Sequence, residues 1–167
     1  MSDWSKTPQA TLVKRLTPVP LDQRQTLRQG VFGKAEHDRW FDSIPCLGQI
    51  EIGGATPSRK GVEGAARVAF WNVERLRHLD TIADSLRAAA PDVMLLCEID
   101  RGMARSGNSD RVVEIAAELG ARYAYAAEFV ELDLGDVHEK AIHAGEANSD
   151  GLHGAAMLSH RLWQRMG

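Results

Sequence analysis

The chain of 167 residues has little with which to staple itself, to span a bilayer or to hold a polyanion by charge alone. Its two cysteines, Cys46 and Cys97, are too few for a disulfide framework and suit a reducing compartment, so a cytoplasmic location is expected. No apolar run approaches the roughly 20 residues that a membrane-spanning helix needs. The start, Met1-Ser2-Asp3-Trp4, has no charged stretch followed by an apolar one, which argues against an export leader. The net charge of -3 excludes a global basic field for non-specific nucleic-acid binding and leaves only a local patch open. There is no internal repeat. The histidines of His138-Glu139-Lys140-Ala141-Ile142-His143 stand five apart and diverge on a helix, unlike the four-apart pair of a zinc-protease helix. With 44% hydrophobic and 26% charged residues, disorder is not the default, and the length allows one domain of ordinary size.

What the chain does have is concentrated between Arg67 and Glu98. An apolar run, Val68-Ala69-Phe70-Trp71, ends at the polar Asn72. Leu79, Ile82, Ala83, Leu86 and Ala90 then mark one face of a helix, which Pro91 stops because the residue before a proline is driven out of the helical region. Val93-Met94-Leu95-Leu96-Cys97 reads as a strand buried on both faces and ends at Glu98. If the two strands are parallel neighbours, Asn72 and Glu98 share the C-terminal rim of the sheet, where open α/β sheets bind ligands. An amide and a carboxylate there suit a divalent cation and a phosphate. The plainer reading is that each polar residue marks where a strand meets water.

Residues 1–65 hold five of the six prolines and carry no chemical motif. Helices are expected over Leu21 to Gln29 and Lys34 to Phe41, the latter packing Trp40 and Phe41 on the main domain, and a strand over Gln49 to Ile52. His37 with Asp38 reads as a solvated helix face. Ile99 to Asn108 is a loop by composition, whose Arg105 and Asn108 suit phosphate. The same loop equally suits a turn whose arginines pair with nearby carboxylates. Asn108 or Ser109 is expected to cap a helix that turns Val112, Val113, Ala116 and Leu119 inward and stops at Gly120. Arg122 to Ala126 reads as a strand with Tyr123 and Tyr125 on one face. A long polar connection spans 131–152. A short strand then begins at Ala155, and Gly154 beside it marks a close backbone approach.

Taken in order, several stretches resemble the endonuclease/exonuclease/phosphatase superfamily, the fold of DNase I and exonuclease III. They are Phe70-Trp71-Asn72-Val73, Leu95-Leu96-Cys97-Glu98-Ile99-Asp100, Gly102-Met103-Ala104-Arg105-Ser106-Gly107-Asn108, Ala124-Tyr125-Ala126, Glu128-Phe129-Val130-Glu131-Leu132 and Gly151-Leu152-His153-Gly154. The resemblance covers about residues 66–161. It implies a DNase I-like α/β fold, a four-layer α/β/β/α sandwich, and a phosphoester hydrolase assisted by Mg²⁺ or Mn²⁺. By the same resemblance Glu98 is the metal-binding glutamate and Asn72 its catalytic companion, while Arg105, Asn108 and His153 belong to the substrate rim. The substrate is a phosphoester, with nucleic acid among the candidates.

The departures bear on activity. The family's Asp-x-Asn and Ser-Asp-His segments do not follow Gly154, and Ala155 and His160 stand where many relatives have asparagine and arginine. The expectation is therefore an N-terminal extension over 1–65 and, over 66–167, only the front part of the catalytic domain. Its missing C-terminal half is then the natural packing partner, and activity of this chain alone is doubtful. Half of a sandwich leaves an apolar sheet face bare, so association is expected. The alternative is a non-catalytic binding or regulatory module on the same fold.

Overall fold

Alternating strand and helix periods are assembled, in a computed structural model that describes residues 10–30, 33–58 and 64–162, into one mixed six-stranded sheet with five helices. The elements are β1 (Thr11–Val13), α1 (Leu21–Gln29), α2 (Lys34–Ser43), β2 (Gln49–Gly54), β3 (Val68–Asn72), α3 (Leu79–Ala89), β4 (Val93–Arg101), α4 (Arg111–Leu119), β5 (Arg122–Val130), α5 (Val137–Ile142) and β6 (Leu152–Ser159). The strand order is β1-β2-β5-β6-β4-β3. β1 runs parallel to β2 and β3 parallel to β4, and the other pairs are antiparallel. The leader reading of Met1 to Trp4 lies outside the described residues. No helix among those described is long and apolar enough to cross a membrane.

The amphipathic helices follow their sequence period. α3 buries Ile82, Ala83 and Leu86 and ends at Ala90, whose φ of 46° closes the helix just before Pro91. α4 buries Val112, Ile115, Ala116 and Leu119 and stops at Gly120 with φ 61°. Two local expectations are corrected here. Asp110, not Asn108 or Ser109, caps α4, its carboxylate accepting from the Val113 N–H at 3.3 Å. Val113 faces out, because its position is one residue, about 100°, away from the inward stripe.

The sheet has one covered face and one bare face. Met94, Leu96, Tyr123, Tyr125, Ala156 and Leu158 lie in the same hydrophobic cluster as the buried residues of α3 and α4. The opposite face carries Phe70, Leu95, Cys97, Ala124, Ala126 and Met157 around an open trough. β4 is thus not buried on both faces, as its continuous apolar run predicts. Leu96 is 1% exposed, but its neighbour Leu95 is 39% exposed because none of the described residues forms a layer above it. β4 also continues to Arg101, three residues into the stretch read as a loop from Ile99.

The division at residue 65 is corrected as well. β1 and β2 belong to the same sheet, with β2 hydrogen-bonded to β5 through Glu51 opposite Tyr125. Leu16, Val19, Leu27, Ile44 and Cys46 join the central core. Trp40 packs against that core, whereas Phe41 is 45% exposed. Gly154 does mark a close approach, since a Cβ there would meet the Ala126 carbonyl oxygen at 2.1 Å.

Candidate functional site

β3 and β4 run parallel with Asn72 in register with Cys97, so their C-terminal ends reach one rim together. Between Leu96 and Ile99 the pairing of β4 with β6 shifts, and Cys97 and Glu98 together face the single residue Ala155. This is a β-bulge, and Glu98 holds a left-handed φ of 60° within it. Bulges re-aim a side chain next to functional sites, and a left-handed glutamate costs on the order of 1–2 kcal/mol. The bulge carries Glu98 to Asn72, whose Nδ2 donates to Glu98 Oε1 at 2.6 Å. Asn72 Oδ1 accepts from the Glu74 N–H at 3.0 Å, so both ends of the amide are engaged. The pair is open to solvent.

The backbone after Asn72 is unusual. Glu74, Arg75 and Leu76 have φ of 45°, 64° and 54°, three left-handed residues in succession and none of them glycine. The turn is held by the fully buried Leu76, whose N–H donates to the Val73 carbonyl at 2.9 Å, and by an ion pair between Arg75 and Glu139. Backbone strain of this kind collects at binding and catalytic sites.

Behind the rim lies a buried ionic network centred on Asp100. Its carboxylate takes a two-pronged bond from Arg105 (Nε at 2.9 Å, Nη2 at 3.0 Å), one from Ser106 Oγ at 2.5 Å and one from His153 Nδ1 at 2.7 Å. Burial alone would raise the Asp100 pKa, but the bonds from His153, Arg105 and Ser106 outweigh it and hold the carboxyl well below the usual range. Because the ionised carboxylate can only accept, the His153 proton sits on Nδ1. Arg105 Nη1 also reaches Glu139 at 3.3 Å, and Glu139 caps α5 together with Asp136.

Of the candidate residues, the structure brings Asn72 and Glu98 together at the rim. It does not bring the other three there. Arg105 is 7% exposed at its side chain and its guanidinium points inward to Asp100 and Glu139, so the turn with internally paired arginines is the form adopted. Asn108 pins the 131–151 connection, donating to the Ala147 carbonyl at 3.0 Å and accepting from the Ser149 N–H at 2.9 Å. His153 is buried between Asp100 and the ring of Phe129, whose centroid stacks 4.8 Å away. The side chains of Arg105, Asn108 and His153, expected at the substrate rim, are thus engaged by Asp100, Glu139 and the 131–151 connection.

Sequence reasoning missed the hub itself. Asp100 stands two residues beyond Glu98, a spacing that in a regular strand puts both on one face, yet no pattern marks it as the acceptor of four bonds. Glu139 lies inside the histidine segment set aside as a zinc site, and only the fold shows that its carboxylate is the useful group. A second network, Glu51 with Arg101 at 2.7 Å and Tyr123 at 2.7 Å, fills the other side of β4. Arg101 Nε also lies 3.0 Å from Asp110, a charge contact without hydrogen-bond alignment.

For a divalent cation the rim offers one carboxylate, Glu98, steered by one amide. No group of three or more metal-ligating His, Cys, Asp or Glu side chains occurs among the described residues. Mg²⁺ keeps several waters and is commonly bound through one or two carboxylates. The donor set therefore fits a largely hydrated ion on Glu98 and does not fit a closed cage. No family model matches this chain, and neither does any curated protein or any solved structure.

Proposed function

We propose that the chain is the cation-holding part of a phosphoester hydrolase of the endonuclease/exonuclease/phosphatase type, built as one half of a four-layer sandwich. The observation that carries this is the 2.6 Å bond from Asn72 Nδ2 to Glu98 Oε1 at the shared end of two parallel strands, with Glu98 set in a bulge at φ 60°. A strained, re-aimed acid at the carboxyl ends of two parallel strands fits ligand binding better than mere solvation. The bare apolar sheet face supports a further layer above it.

In this reading Glu98 holds the ion and Asn72 keeps its carboxylate in one orientation by donating to one oxygen. A bound Mg²⁺ or Mn²⁺ would polarise a phosphoryl oxygen and lower the pKa of a coordinated water. The Asp100 network acts through position alone: it ties the turn after β3 to the loop after β4 and so fixes the distance between the two rim residues. A proton-transferring histidine and a second acid are not assigned to this chain, because His153 is committed to Asp100.

The second reading, a binding module without turnover, is favoured by that inward commitment of Arg105 and His153 and by the methyl of Ala155 opposite the bulge. Mn²⁺ titration followed by nuclear magnetic resonance tests the shared part of both readings. Broadening is expected at millimolar Mn²⁺ around residues 71–73 and 97–99, weakened at least tenfold by Glu98→Gln. Broadening elsewhere, or equal broadening in the variant, removes Glu98 from the role. Mg²⁺-dependent cleavage of bis-p-nitrophenyl phosphate then tests the readings in one direction: turnover that is lost in Glu98→Gln supports the hydrolase and rules out the module.

A further inference from the structure

The end of β5 carries a cavity that the Asn72–Glu98 pair does not use. α2 buries none of its side chains completely. Its His37, Trp40 and Phe41, with Leu27 of α1, face Glu128 and Phe129 of β5 around a space of about 330 Å³. That volume falls within the roughly 300–1,000 Å³ of small-ligand sites. The aromatic walls are braced: His37 stacks on Phe41 with ring centroids 6.4 Å apart, and Phe129 stacks on His153. The charge is one-sided. No lysine or arginine is among the described residues that line the cavity, and Glu128 supplies its one carboxylate. Glu128 stands where the pairing of β5 with β6 skips from Ala127 to Phe129, a bulge that turns its side chain out of the ladder. Nearby Glu131 and Asp133 are engaged by Arg105, Arg28 and Lys140, whereas the Glu128 carboxylate has no hydrogen bond or ion pair among the described residues.

We propose that this pocket binds a small organic ammonium ion with an apolar body. Aromatic rings attract such a cation through their electron-rich faces, tryptophan most strongly, and an unpaired carboxylate beside them completes the complement. The same carboxylate repels phosphate and other anions. A bare metal ion gains nothing here, because one carboxylate among aromatic walls does not replace its hydration shell. A neutral apolar molecule fills the space but leaves Glu128 partly desolvated without a partner. The site is separate from the rim pair. β4 and β5 both run antiparallel to β6, so their C-terminal ends lie at the same end of the sheet. With β6 between them they stand two strand spacings, about 10 Å, apart. Ammonium binding therefore does not depend on any cation at Glu98, and it gives the helices before β2 a role.

The test is a titration of the whole chain with benzyltrimethylammonium chloride, without divalent cation, followed by nuclear magnetic resonance. Saturable shifts are expected at Trp40, Phe41 and Phe129, and at His153, whose ring rests on Phe129. Benzyl alcohol and benzenesulfonate, the neutral and anionic counterparts, should bind about tenfold more weakly. Glu128→Gln and Phe41→Leu, both at exposed side chains, are each expected to weaken the ammonium by about the same factor while leaving the circular dichroism spectrum unchanged. Absence of saturable shifts overturns the proposal. So does benzyl alcohol binding as tightly as the ammonium, which would make the pocket a general apolar cleft. Full affinity in either variant, or shifts confined to other residues, overturns it as well.

Discussion

Leu95 and Leu96 are adjacent, identical in chemistry and in the same strand, yet one is 39% exposed and the other 1%. The difference lies in what stands above each. Leu96 points at α3 and α4, which bring Ile82, Leu86, Ile115 and Ala116 down onto the sheet. Leu95 points at the trough. The strand residues of the two faces are almost equally apolar, so strand composition does not distinguish a face already packed from one awaiting a partner. The distinction is made by the connections, which here carry both long amphipathic helices to one side.

The difference between the two faces has measurable consequences, the largest of them at Asp100. Asp100→Ala removes the acceptor of four bonds on the bare side, where the loops after β4 roof the strand end. It leaves Arg105 and His153 buried without their partner, and a loss of about 3–5 kcal/mol in urea unfolding is expected. A loss under 1 kcal/mol would mean that water replaces the carboxylate and that the roof is not packed. Leu96→Ala should cost about 2–5 kcal/mol through the cavity it leaves, and Leu95→Ala less than 1 kcal/mol when measured on the monomer. Equal losses would show that the bare face is covered in solution.

Acid comes next. Asp100 and Glu51 both have carboxyls held below their usual range: burial opposes ionisation, but bonds from His153, Arg105 and Ser106 in one case, and from Arg101, the Leu16 N–H and Tyr123 in the other, prevail. A depressed carboxyl stabilises the fold above its unfolded pKa, and that stabilisation is lost as pH falls through the folded pKa. Stability should therefore be constant from pH 7 to about 5 and drop below about 4, by on the order of 2 kcal/mol for the Asp100 group. A flat profile to pH 3 would contradict the network. The smallest effect is at the bulge. Glu98→Gly relieves a left-handed side chain and should add about 1 kcal/mol in thermal or urea unfolding. Destabilisation instead would mean that the bond to Asn72 outweighs the strain.

Much of the architecture was legible because its signals are local. The period of Leu79 to Ala90, the stop at Pro91 and the glycine at 120 place α3 and α4, and Leu21 to Gln29 agrees with α1 to the residue. That Asn72 and Glu98 share one rim was legible too, since it follows from two short strands joined by one crossover, but the bulge that turns Glu98 toward Asn72 was not. What was not legible depends on distant pairing. β1 is three residues long and forms only because Leu12 and Val13 lie beside Ile50 and Glu51. Arg105 looks the same in sequence whether it faces phosphate or Asp100, and its choice depends on Glu139, 34 residues on. The covering of one sheet face is a property of layers, and no strand reports it.

Asp100 and Arg101 end β4 as consecutive residues of opposite charge, one reaching the His153 side and the other the Glu51 side. Sliding β4 by a single position would present the guanidinium to Arg105 and the carboxylate to Glu51, placing like charges together on both sides at once. The dipeptide thus works as a key with two different teeth. It admits one alignment of the central strand, and with it one position of Glu98 relative to Asn72.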